Sequence, residues 1–231
     1  MTTINGIRVI SFDGDGTLWD FQKVMRHSLG HVLTELGQFD SRAAATLDID
    51  RMIAIRNRVA DELKGTTTNL EAVRLQAFQR TLEEVGRPDD NLAHHLNDIY
   101  LKHRFEDIQL YDDVLPTLQA LRKRYTLGLL SNGNSYPERC GLAGMFRAVV
   151  FSQDHGVEKP DPEIFHIALE KLGCSRQELL HVGNSLENDI AGALNAGIKC
   201  VWLNRDRIRN NTRTTVDNEI SSLSELLDIL K

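Results

Sequence analysis

Five short β-rich runs, at residues 7–12, 125–130, 148–152, 179–183 and 198–203, constrain this chain most. Segments of helical pattern alternate with them, and no two are joined by a tight two-residue turn. Antiparallel neighbours close on short hairpins, whereas parallel neighbours need a long crossover, usually a helix. Alternation of this kind predicts an α/β fold with a mostly parallel, doubly wound sheet.

The first run is followed by a long stretch that reads as helix throughout. Phe21, Val24, Met25, Leu29, Val32, Leu33 and Leu36 fall near helical spacing, and Gly37 is expected to stop that helix. Thr68-Asn69-Leu70-Glu71 has the form of a capping box, opening a helix that ends near Gly86. The reading is therefore a discontinuous core, residues 1–19 with 106–231, and a helical insertion at 20–105. Within the core, helices are expected from about Asp113 to Lys123, from Pro162 to Gly173, and before Gly197. Ser175-Arg176-Gln177-Glu178 and Ser222-Leu223-Ser224-Glu225 are two further capping-box patterns, the second starting the last helix.

Composition narrows the class. At 231 residues the chain can bury a sizeable core. Its net charge of −6, without a strongly basic block, argues against a nucleic-acid partner. No apolar run approaches the ~20 residues of a membrane span, and Met1-Thr2-Thr3-Ile4-Asn5 lacks the charged and apolar regions of a signal peptide. Cys140, Cys174 and Cys200 are odd in number and unclustered, which fits free thiols in a reducing cytoplasm. Oligomeric state leaves no mark in the sequence.

Open parallel sheets bind ligands at the carboxyl ends of their strands. Asp13-Gly14-Asp15-Gly16-Thr17 follows the first run there, with glycines that permit a tight turn and two carboxylates able to divide nucleophile or metal-ligand work from proton transfer. The second run ends in Ser131-Asn132-Gly133, whose hydroxyl, amide and backbone N–H groups suit phosphate oxygens. Lys159, in Glu158-Lys159-Pro160-Asp161-Pro162, supplies a point charge for phosphate. The fourth run ends in Gly183-Asn184-Ser185-Leu186-Glu187-Asn188-Asp189, oxygen-bearing side chains suited to a hard cation. Each cluster alone also fits a turn, a surface lysine or a capping acid. Their succession at strand ends is what points to a reactive centre. His27, His31, His94, His95, His103, His155, His166 and His181 read as structural or surface groups, although His155 lies near Lys159 in sequence. Arg26, Arg56 and Arg58 read as solvated helix faces, and the cluster Arg205-Asp206-Arg207-Ile208-Arg209 as a solvated loop.

The ordered set Asp-Gly-Asp-Gly-Thr, Ser-Asn-Gly, Lys-Pro-Asp-Pro and Gly-Asn-Ser-Leu-Glu-Asn-Asp resembles the haloacid dehalogenase superfamily. The insertion between the first and second motifs matches its helical-cap subgroup, and the 27 residues between Ser131 and Lys159 leave no room for a second cap. The resemblance implies Asp13 as the nucleophile that takes the phosphoryl group and Asp15 as the acid and base. It implies that Ser131, Asn132 and Lys159 bind the phosphoryl, and that magnesium (Mg2+) is held by Asp13, the Asp15 carbonyl, Asn184 and Asp189. Strands one and four would lie side by side. The implied activity is hydrolysis of a small phosphorylated metabolite, with dehalogenation, a mutase or a weakly active binding protein as alternatives. Position 184 departs from the pattern, because the phosphatases usually carry aspartate there. Asparagine can ligate through its amide oxygen but removes one negative charge.

Overall fold

The protein, described here as a computed structural model, is defined over residues 3–231. Met1 and Thr2, part of the run read for a leader, lie outside the described residues. The chain divides into two compact units, residues 1–20 with 109–231, and residues 21–108.

The first unit is built on six parallel strands: β1 (Val9–Phe12), β2 (Thr126–Ser131), β3 (Ala148–Phe151), β4 (Leu179–Gly183), β5 (Lys199–Leu203) and β6 (Glu219–Ile220). Their order in the sheet is β3-β2-β1-β4-β5-β6, that of a doubly wound dinucleotide-fold sheet. The five expected runs are strands: β4 has the expected bounds, β1, β3 and β5 are shorter by a residue or two, and β2 is shifted by one residue to end on Ser131. The sixth was not legible, since two residues carry no periodicity. All four residues of β1 and all five of β4 are buried, as central parallel strands covered on both faces require. Strands one and four are adjacent, with Phe12 opposite Val182.

Helix Pro162–Leu172 starts on Pro162, is capped by the Asp161 side chain, and ends at Gly173 with φ +65°. Its Ile164, Phe165, Ala168 and Leu172 pack with Val9, Leu130, Val150 and Leu179 of the sheet. Ser175 and Glu178 do pair, but the carboxylate closes a turn on Ser175 N–H and Oγ ahead of β4; no helix begins there. The Ser222–Glu225 capping box is present and opens a 3₁₀ turn running into Leu226–Ile229.

The second unit holds five helices: α1 (Phe21–Phe39), α2 (Ser41–Ala45), α3 (Ile49–Leu63), α4 (Leu70–Glu84) and α5 (Asp90–Glu106). Asp40, Asp48, Asn69 and Asp89 cap α2 to α5 by accepting first-turn N–H groups. The cap of α4 is thus Asn69, not Thr68, because its carbonyl oxygen reaches Glu71 N and Ala72 N. Gly37 does not end α1, which continues to Phe39 and stops where Asp40 begins to cap α2. One apolar cluster, including Leu29, Val32, Leu36, Ile55, Leu82 and Leu96, joins these helices.

Candidate active site

Phe12 lies in register with Leu129 on one side and Val182 on the other. The chain leaving β1 therefore emerges between the ends of β2 and β4. Strand order reverses at this point, where open α/β sheets bind ligands. Asp13, Asp15, Ser131, Asn132, Lys159, Asn184 and Asp189 all belong to this unit, and hydrogen bonds or close approaches link them.

Lys159 is the centre of the arrangement. Its ammonium donates to Asp13 Oδ1 at 2.7 Å, Asp189 Oδ1 at 2.6 Å and the Leu130 carbonyl at 3.0 Å. Those three bonds use its whole donor capacity. The side chain is only 2% exposed, so a charge here depends on its partners. Burial works against the ammonium, but the charges of Asp13 and Asp189 outweigh it and raise the Lys159 pKa. For Asp189 burial likewise favours the neutral acid, yet Lys159 and the bond from His181 hold its pKa well below the usual carboxylate range. Asp13 goes the other way. Burial dominates, the Lys159 charge pulls back, Asp189 and Asp15 add to the rise, and its pKa stands at about 7. Burial is thus what lifts Asp13, and Lys159 offsets it only in part.

Asp15 is aimed by groups the sequence did not mark. Trp19 Nε1 donates to its Oδ1 at 2.6 Å, and Ser135 Oγ lies 3.5 Å from the same oxygen. Across from it runs the Ser131-Asn132-Gly133 turn. A Cβ on Gly133 would come within 2.5 Å of Asp15 Oδ2, so only glycine leaves room for the carboxylate. Ser131 Oγ accepts from Gly133 N–H at 3.0 Å and fixes the turn. The Asn132 side chain is committed to protein: its oxygen accepts from Lys159 N–H and Ser152 Oγ, and its amide donates to the Lys159 carbonyl.

Asn184 faces the same loop. Its Oδ1 accepts from Thr17 Oγ1 at 3.2 Å, and its carbonyl accepts from Trp202 Nε1 at 2.9 Å. A Cβ on Gly16 would sit 2.6 Å from its Nδ2. The Asp13 carboxylate, the loop carbonyls and the Asn184 amide oxygen are oxygen donors of the kind a hard divalent cation takes. Asp189 is placed differently. One of its oxygens accepts from Lys159 and His181, the other from Ser185 N–H at 2.8 Å, and no oxygen is left without a donor.

His181, read from the sequence as a structural or surface group, is a buried one that touches this cluster. It is fully buried between Ser11 Oγ, 2.9 Å from Nδ1, and Asp189 Oδ1, 3.2 Å from Nε2. Burial lowers its pKa; a neutral ring that donates to Asp189 and accepts from Ser11 satisfies both contacts. Its place within a strand and beside an apolar run gave no signal. Arg205 also departs from expectation. It is not a solvated loop residue but makes a two-bond pair with Asp113, each bond 3.0 Å, and donates to the Thr17 carbonyl at 2.9 Å.

Known proteins resemble the chain over nearly its whole length. A family model described as haloacid dehalogenase-like hydrolase matches residues 7–197. The N-acylneuraminate-9-phosphatase of Mus musculus is 29% identical, over 99% of this chain and 95% of that protein. The glyceraldehyde 3-phosphate phosphatase of Methanothermobacter thermautotrophicus is 34% identical, over 96% of this chain and 100% of that one. Among solved structures, a 2-haloacid dehalogenase from Pseudomonas syringae pathovar tomato superimposes with a TM-score of 0.82 at 30% identity, covering 96% of this chain and 97% of that one.

Proposed function

The chain belongs to the haloacid dehalogenase-like hydrolases, and from that premise we propose that it hydrolyses a small phosphomonoester through an aspartyl phosphate on Asp13. The observation that carries the reading is the pairing of a buried, lysine-bound Asp13 with a second carboxylate, Asp15, held two residues away by Trp19. An Asp13 oxygen bonds to phosphorus while the ester bond to the leaving oxygen breaks, and Asp15 gives that oxygen a proton. Asp15 then takes a proton from water as the water oxygen attacks phosphorus, releasing inorganic phosphate and restoring Asp13. Lys159 holds Asp13 in place and counters the charge that accumulates as phosphorus is transferred. Ser131 and the backbone N–H groups of its turn would receive phosphoryl oxygens.

Magnesium fits the donor set. The Asp13 carboxylate, the Asp15 carbonyl and Asn184 Oδ1 would hold it, and it would supply the positive charge that the raised pKa of Asp13 calls for. The role we give Asp189 is to bind Lys159 and His181. The phosphatases among the relatives support a small phosphorylated metabolite as substrate.

The dehalogenase likeness favours a second reading, displacement of halide from a 2-halo acid by Asp13. That reaction needs no proton donor to its leaving group, and it leaves Asp15 and the indole that aims it without a task. The test is hydrolysis of p-nitrophenyl phosphate with and without magnesium, beside release of chloride from a 2-chloro acid, in the wild type and Asp13→Asn. Magnesium-dependent phosphate release that vanishes in Asp13→Asn supports the phosphatase. Chloride release without phosphatase activity overturns it.

A further inference from the structure

The helical unit gathers three imidazoles and a carboxylate. His27 and His31 stand four residues apart on α1, on one face of the helix. His103 and Asp107 stand four apart at the end of α5 and its cap. The chain thus brings together the start of the unit's first helix and the end of its last. His31 Nε2 lies 3.3 Å from His27 Nε2. His27 Nε2 lies 3.2 Å, and His103 Nδ1 2.9 Å, from Asp107 Oδ2. One ligand atom from each residue falls within 4.8 Å of every other.

These separations match a chemistry. A tetrahedral zinc-class ion with bonds of about 2.0–2.1 Å keeps its ligand atoms about 3.3 Å apart. The set of three nitrogens and one carboxylate oxygen suits zinc, cobalt or nickel and not magnesium or calcium, which take oxygen alone. The rings pack on one another, and rotation of His31 and His103 about their side-chain torsions would aim their in-plane lone pairs at a common point. His31 and His103 stack in parallel at 3.6 Å between centroids, with His27 edge-on to both. His27 is exposed, which gives an ion a way in from solvent. Asp107 balances part of the charge.

We propose that His27, His31, His103 and Asp107 form a binding site for one divalent transition-metal ion of the zinc class, which would tie α1 to α5. Its four residues all belong to the second unit, those assigned to magnesium to the first, and the proposal does not depend on the reading of that centre.

The experiment is a titration of chelator-treated, full-length protein with Zn2+ by calorimetry and with Co2+ by visible absorption, in three forms. The forms are the wild type, His31→Ala with His103→Ala, and Asp13→Asn. In the wild type one equivalent of Zn2+ should bind, Co2+ should give the intense bands of a tetrahedral centre, and Zn2+ should raise the melting temperature. Loss of one outer-shell partner commonly weakens a metal site about 10- to 100-fold, so removing two ligands should cost more than about 100-fold. Asp13→Asn should keep both the stoichiometry and the cobalt spectrum. A circular dichroism melt of the metal-free double variant shows whether it is folded, and His27→Gln provides a milder change should it not be. Absence of Zn2+ binding to the wild type, or binding that survives loss of His31 and His103 in a folded variant, overturns the proposal. Binding lost in Asp13→Asn instead would assign the ion to the core.

Discussion

The side-chain amide of Asn132 grips the main chain of Lys159 twice, accepting from its N–H and donating to its carbonyl, each at 2.8 Å. The lysine that binds Asp13 is therefore set by its backbone as well as its ammonium. Asn132→Ala would leave a buried N–H and carbonyl without partners, at a cost of about 1–3 kcal/mol. It would also let Nζ drift from Asp13. We expect a lowered melting temperature and a fall in kcat of roughly 10- to 100-fold, with KM changing less. Steady-state kinetics on a phosphomonoester beside a thermal melt would check both; a loss confined to stability would reduce Asn132 to a structural role.

Trp19 should act on Asp15 in a comparable way, as a positioning residue. The indole is fully buried and donates to the carboxylate at 2.6 Å. Trp19→Phe removes the donor and keeps most of the ring. A hydrogen bond to a charged group is worth about 1.5–3 kcal/mol, so kcat should drop on the order of 10-fold or more. KM should change less than kcat. A cavity effect alone would lower the melting point and leave kcat in place.

Much of this centre was legible because parallel sheets put their chemistry at strand ends. Asp13, Ser131 and Asn184 each follow a buried apolar run, and the turns they sit in are short enough to read from sequence. What stayed hidden came from long-range pairing. His181 points from the middle of β4 to Ser11 of β1, and Arg205 reads as a solvated charge, yet each finds its partner only when distant segments meet; Trp19 meets Asp15 across the four-residue turn after β1, a contact that no motif marks. His27, His31, His103 and Asp107 illustrate the same limit, since two ordinary four-residue spacings become a cluster only when α1 packs on α5. Gly37 and Thr68 misled for a local reason. A glycine is tolerated inside a helix, and a neighbouring Asn outcompeted Thr for the cap.

Asn184 offers a test of charge in the metal set. Its Oδ1 is turned to Thr17 and the Gly16 loop. Asn184→Asp restores a formal negative charge without a change of shape. Magnesium affinity should rise by about 10-fold, the equivalent of about 1.4 kcal/mol. Calorimetric titration of both forms with magnesium would decide it, and equal affinities would rule the idea out.

Asp113 links the site to acid stability. Its carboxylate accepts two bonds from Arg205, one from Ser222 Oγ at 2.7 Å and one from Leu223 N–H at 2.8 Å. Burial pushes its pKa up, but these donors outweigh burial and hold it below the ordinary 3.8. A carboxylate depressed on folding contributes stability that is complete above its unfolded pKa and is lost as pH falls through the folded one. Asp113→Asn should therefore be less stable than wild type at pH 7 by about 2 kcal/mol, the scale of a charge-assisted bond. The gap should narrow below about pH 4, as the wild-type carboxylate protonates. Arg205 also holds the Thr17 carbonyl at 2.9 Å, so the variant should slacken the Asp13–Thr17 loop and lower kcat at neutral pH. Urea unfolding at pH 7, 5 and 3.5 measures the gap; a difference between the two proteins that stays constant across that range would remove the carboxylate's charge from the explanation.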